Sequence, residues 1–213
     1  MKNYVQRYLW FIIGVIINSF GIALITKAQL GTSPISSVAY VFSLEFPLTL
    51  GQFSFIMNMF FIFGQFILLR KDFQMIQFLQ IAVNVIFSCF IDISMNLLSA
   101  LPVDTIPAKL VVLLLGCTVL ALGISIEIAP DVLVVPGEGM VRAIAKVSKK
   151  RFGSVKVMFD VSLVIIALIF SFLFFGRLNG LGAGTIVSAV LVGRIVNMIN
   201  KNVPFISYVQ KLA

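Results

Sequence analysis

Histidine is absent from all 213 residues. That excludes histidine-based catalytic triads, histidine-ligated zinc and histidine proton relays. Charge is nearly as scarce: charged residues make up 11% of the chain, against about 25% in a soluble domain. Cysteine is limited to Cys89 and Cys117, each inside an apolar run. Neither a disulfide framework nor a CxxC metal pair can be built from them. No cofactor fingerprint is present. The GxGxG of 180-GLGAGT-185 lacks the strand–helix unit of a dinucleotide site.

What the chain has instead is apolar surface. Hydrophobic residues account for 60% of it and phenylalanine alone for 21 positions. Water cannot be the only solvent for such a composition, so the bilayer must be part of it. The net charge of +8 does not point to nucleic acid. The cations fall in short blocks between apolar runs, and no aromatic is interleaved with the basic ones for base stacking. Lys2 and Arg7 precede a first apolar stretch that is longer than a signal-peptide core and lacks a small-x-small cleavage site. It reads as a retained span.

Six runs are long enough to cross a bilayer, near 8–26, 51–69, 75–98, 109–128, 157–176 and 181–199. With the N-terminus in the cytoplasm, the inner segments hold Lys2, Arg7, Arg70, Lys71, Arg142, Lys146, Lys149, Lys150, Arg151, Lys156, Lys201 and Lys211. The outer segments hold only Lys27, Lys109 and Arg177. This bias predicts a multi-pass protein of the bacterial inner membrane with both termini cytoplasmic.

Shifting the chain by 102 residues superposes Gly14 on Gly116, Gly21 on Gly123, Gly51 on Gly153, Pro34 on Pro136, Pro102 on Pro204, and Asn58 on Asp160. Two sets of three spans are implied, 1–105 and 106–213, within a single membrane domain. Three is odd, so the second set runs upside down relative to the first. The expected fold is therefore an all-α transmembrane bundle with a 3+3 inverted repeat, whose site lies between the halves.

The connectors after spans one and four carry the unusual chemistry. In 30-LGTSP-34, Ser33 suits an N-cap and Pro34 the first helical position; Pro136 takes that position in the second half. Both connectors are too long for tight turns, and either re-entrant or surface-lying helices fit them. Exposed helix-start amides would favour an anionic or polar group, and Gly137, Gly139 and Glu138 stand beside the second start. The candidate substrate-binding residues are Ser33, Pro34, Ser36, Asn58, Pro136, Gly137, Glu138, Asp160, Gly182, Gly184 and Thr185. Plain capping, and close helix packing at the small residues, are alternatives for each. Acids within spans are costly and usually face a cavity or partner; Asp92 and Glu127, near span ends, could instead reach headgroup water. Arg194 could snorkel to the inner surface or pair with an acid. Arg142, Lys146, Lys149, Lys150 and Arg151 form the basic face of an amphipathic helix suited to anionic lipid at the inner leaflet.

The segments 21-GIALITKAQLGTSPIS-36, Gly51 with Asn58, 136-PGEGMVRAIAK-146, 151-RFGSVKVMFD-160 and 180-GLGAGTIVSAVLVG-193 resemble the YczE/YitT-like bacterial membrane proteins. The resemblance implies a small inner-membrane protein, often described as a transporter, without an established substrate. It implies no site residues. The function expected is a small transporter or channel moving a polar or anionic small molecule between the two halves. A non-transporting accessory subunit of a larger complex is the alternative, and a homo-oligomer fits either. No metal and no cofactor is expected. Nor is an enzyme, since no paired acids or other catalytic set is visible.

Overall fold

A computed structural model describes residues 2–210; Lys211, counted above among the cytoplasmic cations, lies outside them. The described chain is helical throughout: α1 (Lys2–Lys27), α2 (Ser37–Glu45), α3 (Leu50–Leu69), α4 (Leu79–Leu97), α5 (Ile106–Ile128), α6 (Pro136–Ser148), α7 (Phe152–Phe175), α8 (Ala183–Asn202) and α9 (Pro204–Gln210). Six of these, α1, α3, α4, α5, α7 and α8, are long and apolar enough to cross a membrane. Their ends follow local chemistry. Thr49 and Gln52 close a reciprocal capping box on α3, Thr105 caps α5, and Gly176 stops α7 in the left-handed region. Helix α7 begins at Phe152, ahead of the apolar run, because the RFGSVK stretch is itself helical and only its first turns are polar.

Two central helices organise the rest. Helices α1 and α5 run antiparallel, with Gly14 against Glu127, Gly21 against Leu120, Gly116 against Ile25 and Gly123 against Asn18. A Cβ on Gly21 would stand 2.5 Å from the Leu120 Cα, and one on Gly116 2.7 Å from the Ile25 nitrogen. Backbone therefore meets backbone. This suits lipid, where helix association relies on dispersion contacts and close approach rather than on expulsion of water. Around the crossing, Phe11, Val15, Ile22, Ile25, Leu113 and Cys117 are buried.

The remaining contacts form matching sets. Helix α4 packs on α1, and α8 on α5; α2 packs on α3, and α6 on α7; α3 packs on α6, and α7 on α2 with the 3-10 turn Pro34–Ser36 before it. One contact has no counterpart: α3 packs on α4, whereas α7 and α8 scarcely touch. Phe42 anchors α2 to α7 by edge contacts to Phe170 and Phe174, with centroids 4.8 and 5.3 Å apart. The outward faces of α3 and α7 are apolar and exposed, among them Phe60, Phe63, Ile165, Phe172 and Leu173. In water such faces would be a liability; they are what a lipid-facing surface needs.

Ion pairs and hydrogen bonds define two ends. At the basic end Lys146 meets Asp72 at 2.8 Å, and Arg7 donates to the Pro130 carbonyl. At the opposite end Lys27 donates to the Ser99 carbonyl and Ser171 joins the α7–α8 link. Gly21→Val should drive a branched side chain into Leu120 and cost about 1–3 kcal/mol or more, seen as a lower melting temperature in detergent. Gly153→Ala, with nothing within 4 Å of the added Cβ, should leave it unchanged; equal effects of the two would refute the crossing.

Candidate functional site

The connectors that stood out in the sequence enter the bundle end-first. Pro34 opens a 3-10 turn and Pro136 opens α6, each at the first position of its turn. Both elements are buried where they start, at Pro34, Ser36, Ser37 and Pro136–Gly139, and exposed where they end, at Glu45 and Val147. The two starts touch: a Cβ added to Gly137 would overlap the Ile35 side chain. Gln65 of α3 holds the second start by donating to the Pro136 carbonyl at 3.1 Å, and is itself paired with Gln80. Ser33 occupies the N-cap position but does not cap; its hydroxyl donates to Ser36 at 3.1 Å, while Ser37 closes on the Pro34 carbonyl at 2.6 Å.

Where these starts meet lies a cavity of about 530 Å³, lined by residues of every helix from α1 to α8. Of the residues singled out from sequence, it is lined by Ser33, Pro34, Ser36, Asn58, Gly137, Glu138 and Asp160. Pro136 stays outside it, its carbonyl engaged by Gln65. Gly182, Gly184 and Thr185 are elsewhere, in a backbone joint. The Gly184 amide donates to the Leu30 carbonyl at 2.7 Å, and the Thr185 hydroxyl accepts from the Thr32 amide at 3.2 Å. Gly31, at φ +116°, makes the turn that lets this joint close. The joint shuts the opposite end. Toward the basic end the cavity reaches the surface between α7 and α8, past exposed Phe152, Gly153, Arg194 and Asn197.

Most polar groups in and around the cavity are paired. Asn58 donates to Asn84 at 2.7 Å, and Asn84 to the Phe55 carbonyl. Lys156 and Asp160 bridge at 2.9 Å, one helical turn apart. Glu127 accepts from Asn18 at 2.8 Å and from the Val135 amide at 3.2 Å, tying α1, α5 and the entry to α6 together. Two groups are left over. The Ser54 hydroxyl and Glu138 Oε2 are buried and have no hydrogen-bond partner, although Glu138 is only 7% exposed. Burial holds the Glu138 carboxyl above the ordinary range; Lys156 and Arg142 work against that, and Asp160 adds to it. Among the described residues no three His, Cys, Asp or Glu side chains converge on a metal site.

The sequence reading placed Asp92 and Glu127 near span ends, where headgroup water would account for them. Instead each clamps backbone. Asp92 of α4 accepts from the Gly51 amide at 2.8 Å and the Thr49 hydroxyl at 2.6 Å, gripping the start of α3. The residues 102 further on are Arg194, Gly153 and Arg151. Both side-chain positions of the clasp thus hold cations there, and nothing lies within 4 Å of a Cβ on Gly153. Of the five basic residues expected on one amphipathic helix face only Arg142 and Lys146 lie on α6, which ends at Ser148 because Lys149 turns left-handed. Lys149, Lys150 and Arg151 form the link to α7, and all five are exposed. Arg142 reaches Asp131 at 3.9 Å and Lys146 reaches Asp72.

The model of DUF6198, a family of unknown function, matches residues 5–201. The chain is also similar to the uncharacterized protein YyaS of Bacillus subtilis (strain 168), with 22% identity over 198 residues covering 91% of this chain and 92% of the relative. No solved structure matches.

Glu138 gives a signed pH dependence. Its carboxyl is held up in the folded protein, so its contribution to stability is full below the ordinary carboxylate range and is lost as pH rises through the raised folded value. Glu138→Gln should lose less melting temperature than the native protein as pH rises from the ordinary carboxylate range through the raised folded value. The expected gap corresponds to about 1–3 kcal/mol, or roughly 2–4 °C for each kcal/mol. Identical slopes would mean the carboxyl is not burdened by burial.

Proposed function

Since the chain belongs to the DUF6198 family, a family of unknown function, we propose from its geometry that it is a small transporter whose path runs between two inverted halves, 1–105 and 106–213. The observation that carries this reading is the central cavity, closed at one end and open at the other, on which both short helices converge. The antiparallel α1–α5 pair supports the inversion, because its four glycines are the ones related by the offset of 102. The matching contact sets support it as well. Alternating access in inverted-repeat transporters works by the halves exchanging conformation around a fixed site. Here the closed α3–α4 contact and the separated α7–α8 pair are the two conformations to be exchanged. The second state would part α3 from α4 at the Asp92 clasp and bring α7 onto α8.

The excess of Lys and Arg at the open end supports a cytoplasmic orientation for that end, as in the bacterial inner membrane. Exposed Lys149, Lys150 and Arg151 would rest on anionic headgroups there. A kinship with the YczE/YitT-like membrane proteins is part of the same proposal and rests on the segments that form the two starts and the joint.

Proteoliposomes on a solid-supported membrane, challenged in turn with organic cations, anions and zwitterions, should give a saturable current for at least one class. Ala189 lines the cavity from an exposed position, so Ala189→Trp should fill the path while leaving gel-filtration behaviour intact. The current should fall at least tenfold, about 1.4 kcal/mol or more in the effective barrier. Full current in Ala189→Trp, or none for any class in the native protein, would overturn the reading.

A further inference from the structure

We propose that the cavity is built for an organic cation, an amine or quaternary ammonium with an apolar body, whose charge sits on the Glu138 carboxylate. The inference rests on the transport reading in taking this cavity as the ligand site, and it names the class of ligand. The argument starts from what the cavity has left to offer. Lys156 and Asp160 satisfy each other, and the Asn58 amide is spent on Asn84. Arg194 stands exposed at the mouth. Deep inside, the polar atoms with unused capacity are Glu138 Oε2 and the Ser54 hydroxyl, both more than nine-tenths buried. A carboxylate oxygen is an acceptor only, and a hydroxyl can accept. The carboxylate therefore calls for a donor or a positive charge, and the hydroxyl can serve either a donor or an acceptor.

The alternatives fit worse. An anion would find the half-buried Lys156 already taken by Asp160 and would meet Glu138 unshielded. A neutral ligand would leave a buried charge without a partner, which is costly. The charged groups that bear on Glu138 are Arg142 on its own helix, Lys156 and Asp160 on α7, and Glu127 on α5. Lys156 is bridged to Asp160 and Arg142 reaches Asp131, so neither cation is committed to Glu138, whose Oε2 has no partner. The walls say what the rest of the ligand must be. Ile22, Met57, Phe87, Leu120, Ile124 and Val157 line the space, and the Phe87 ring is a surface on which a cation can rest. At about 530 Å³ the cavity is within the range of small-molecule sites.

The test is equilibrium binding, which needs no flux. Purified protein in neutral detergent is titrated by calorimetry with tetraphenylphosphonium, with tetraphenylborate as an anion of the same shape and with the smaller benzyltrimethylammonium. Saturable binding of at least one cation and none of the borate is expected. Glu138→Gln should weaken it roughly ten- to a hundredfold, while Glu138→Asp keeps part of it. The affinity for these permanent cations should also fall as pH is lowered, because a protonated carboxyl no longer balances the charge. Equal uptake of phosphonium and borate, no binding of either cation, or unchanged affinity in a folded Glu138→Gln protein would overturn the assignment. Glu138-dependent binding without current in liposomes would leave the assignment standing and sink the transport reading. Current carried by an anion, with no cation bound, would do the reverse.

Discussion

Everything in this bundle hangs on two helices whose backbones approach closely at four glycines. Lipid gives little reward for bringing one apolar helix to another, so the attraction must come from many short contacts. Gly14, Gly21, Gly116 and Gly123 supply them by removing what would stand in the way. The outer helices attach to that pair: α4 to α1, α8 to α5. The same crossing positions the site. Glu127, whose backbone lies against Gly14, turns its carboxylate to Asn18 and to the Val135 amide. That bond fixes the residue before Pro136, hence the start of α6, hence Glu138.

In the proposed inverted repeat the crossing helices are equivalent and so are the two sides, and the interest lies in how those sides differ. On one side the Asp92 carboxylate complements the exposed amides at the start of α3, an arrangement that a helix dipole favours. The residues 102 further on are Arg194, Arg151 and Gly153, and a cation at a helix start is disfavoured by the same dipole. On the proposed exchange, charge would bias one pair of helices toward contact and the other toward separation. The bias is modest, on the order of 0.3–2 kcal/mol for a charge at a helix end, and a gap of that size can be reversed by a ligand that prefers the other state. The rigid centre and the unequal rims are therefore two aspects of one design.

Much of this was legible in the chain. The six spans follow from hydropathy, because backbone at membrane depth leaves few alternatives to a helix. The glycine pairs and the two prolines were visible because close approach and helix entry each demand a particular residue. Asn58 and Asp160 were singled out together, and both do line the cavity. Other roles were hidden because they depend on the third dimension. A carboxylate near a span end looks the same in sequence whether it meets headgroup water or a buried amide, so the tasks of Asp92 and Glu127 could not be read. Ser54 gave no signal, since one serine among phenylalanines is common in a membrane helix. Gly182, Gly184 and Thr185 looked like ligand chemistry and proved to be a joint against Leu30 and Thr32. Small residues serve close backbone contact and ligand contact equally well.

The central claim is that the two sides exchange conformation around a fixed crossing. Electron–electron distance measurements test it directly, with spin labels at Ile56 and Asn96 across α3–α4 and at the corresponding Met158 and Met198 across α7–α8, all exposed positions, in a Cys89→Ser background. Removing the clasp with Asp92→Ala should lengthen the first distance and shorten the second in the same sample. Two distances that stay put, or that change in the same direction, would contradict the account.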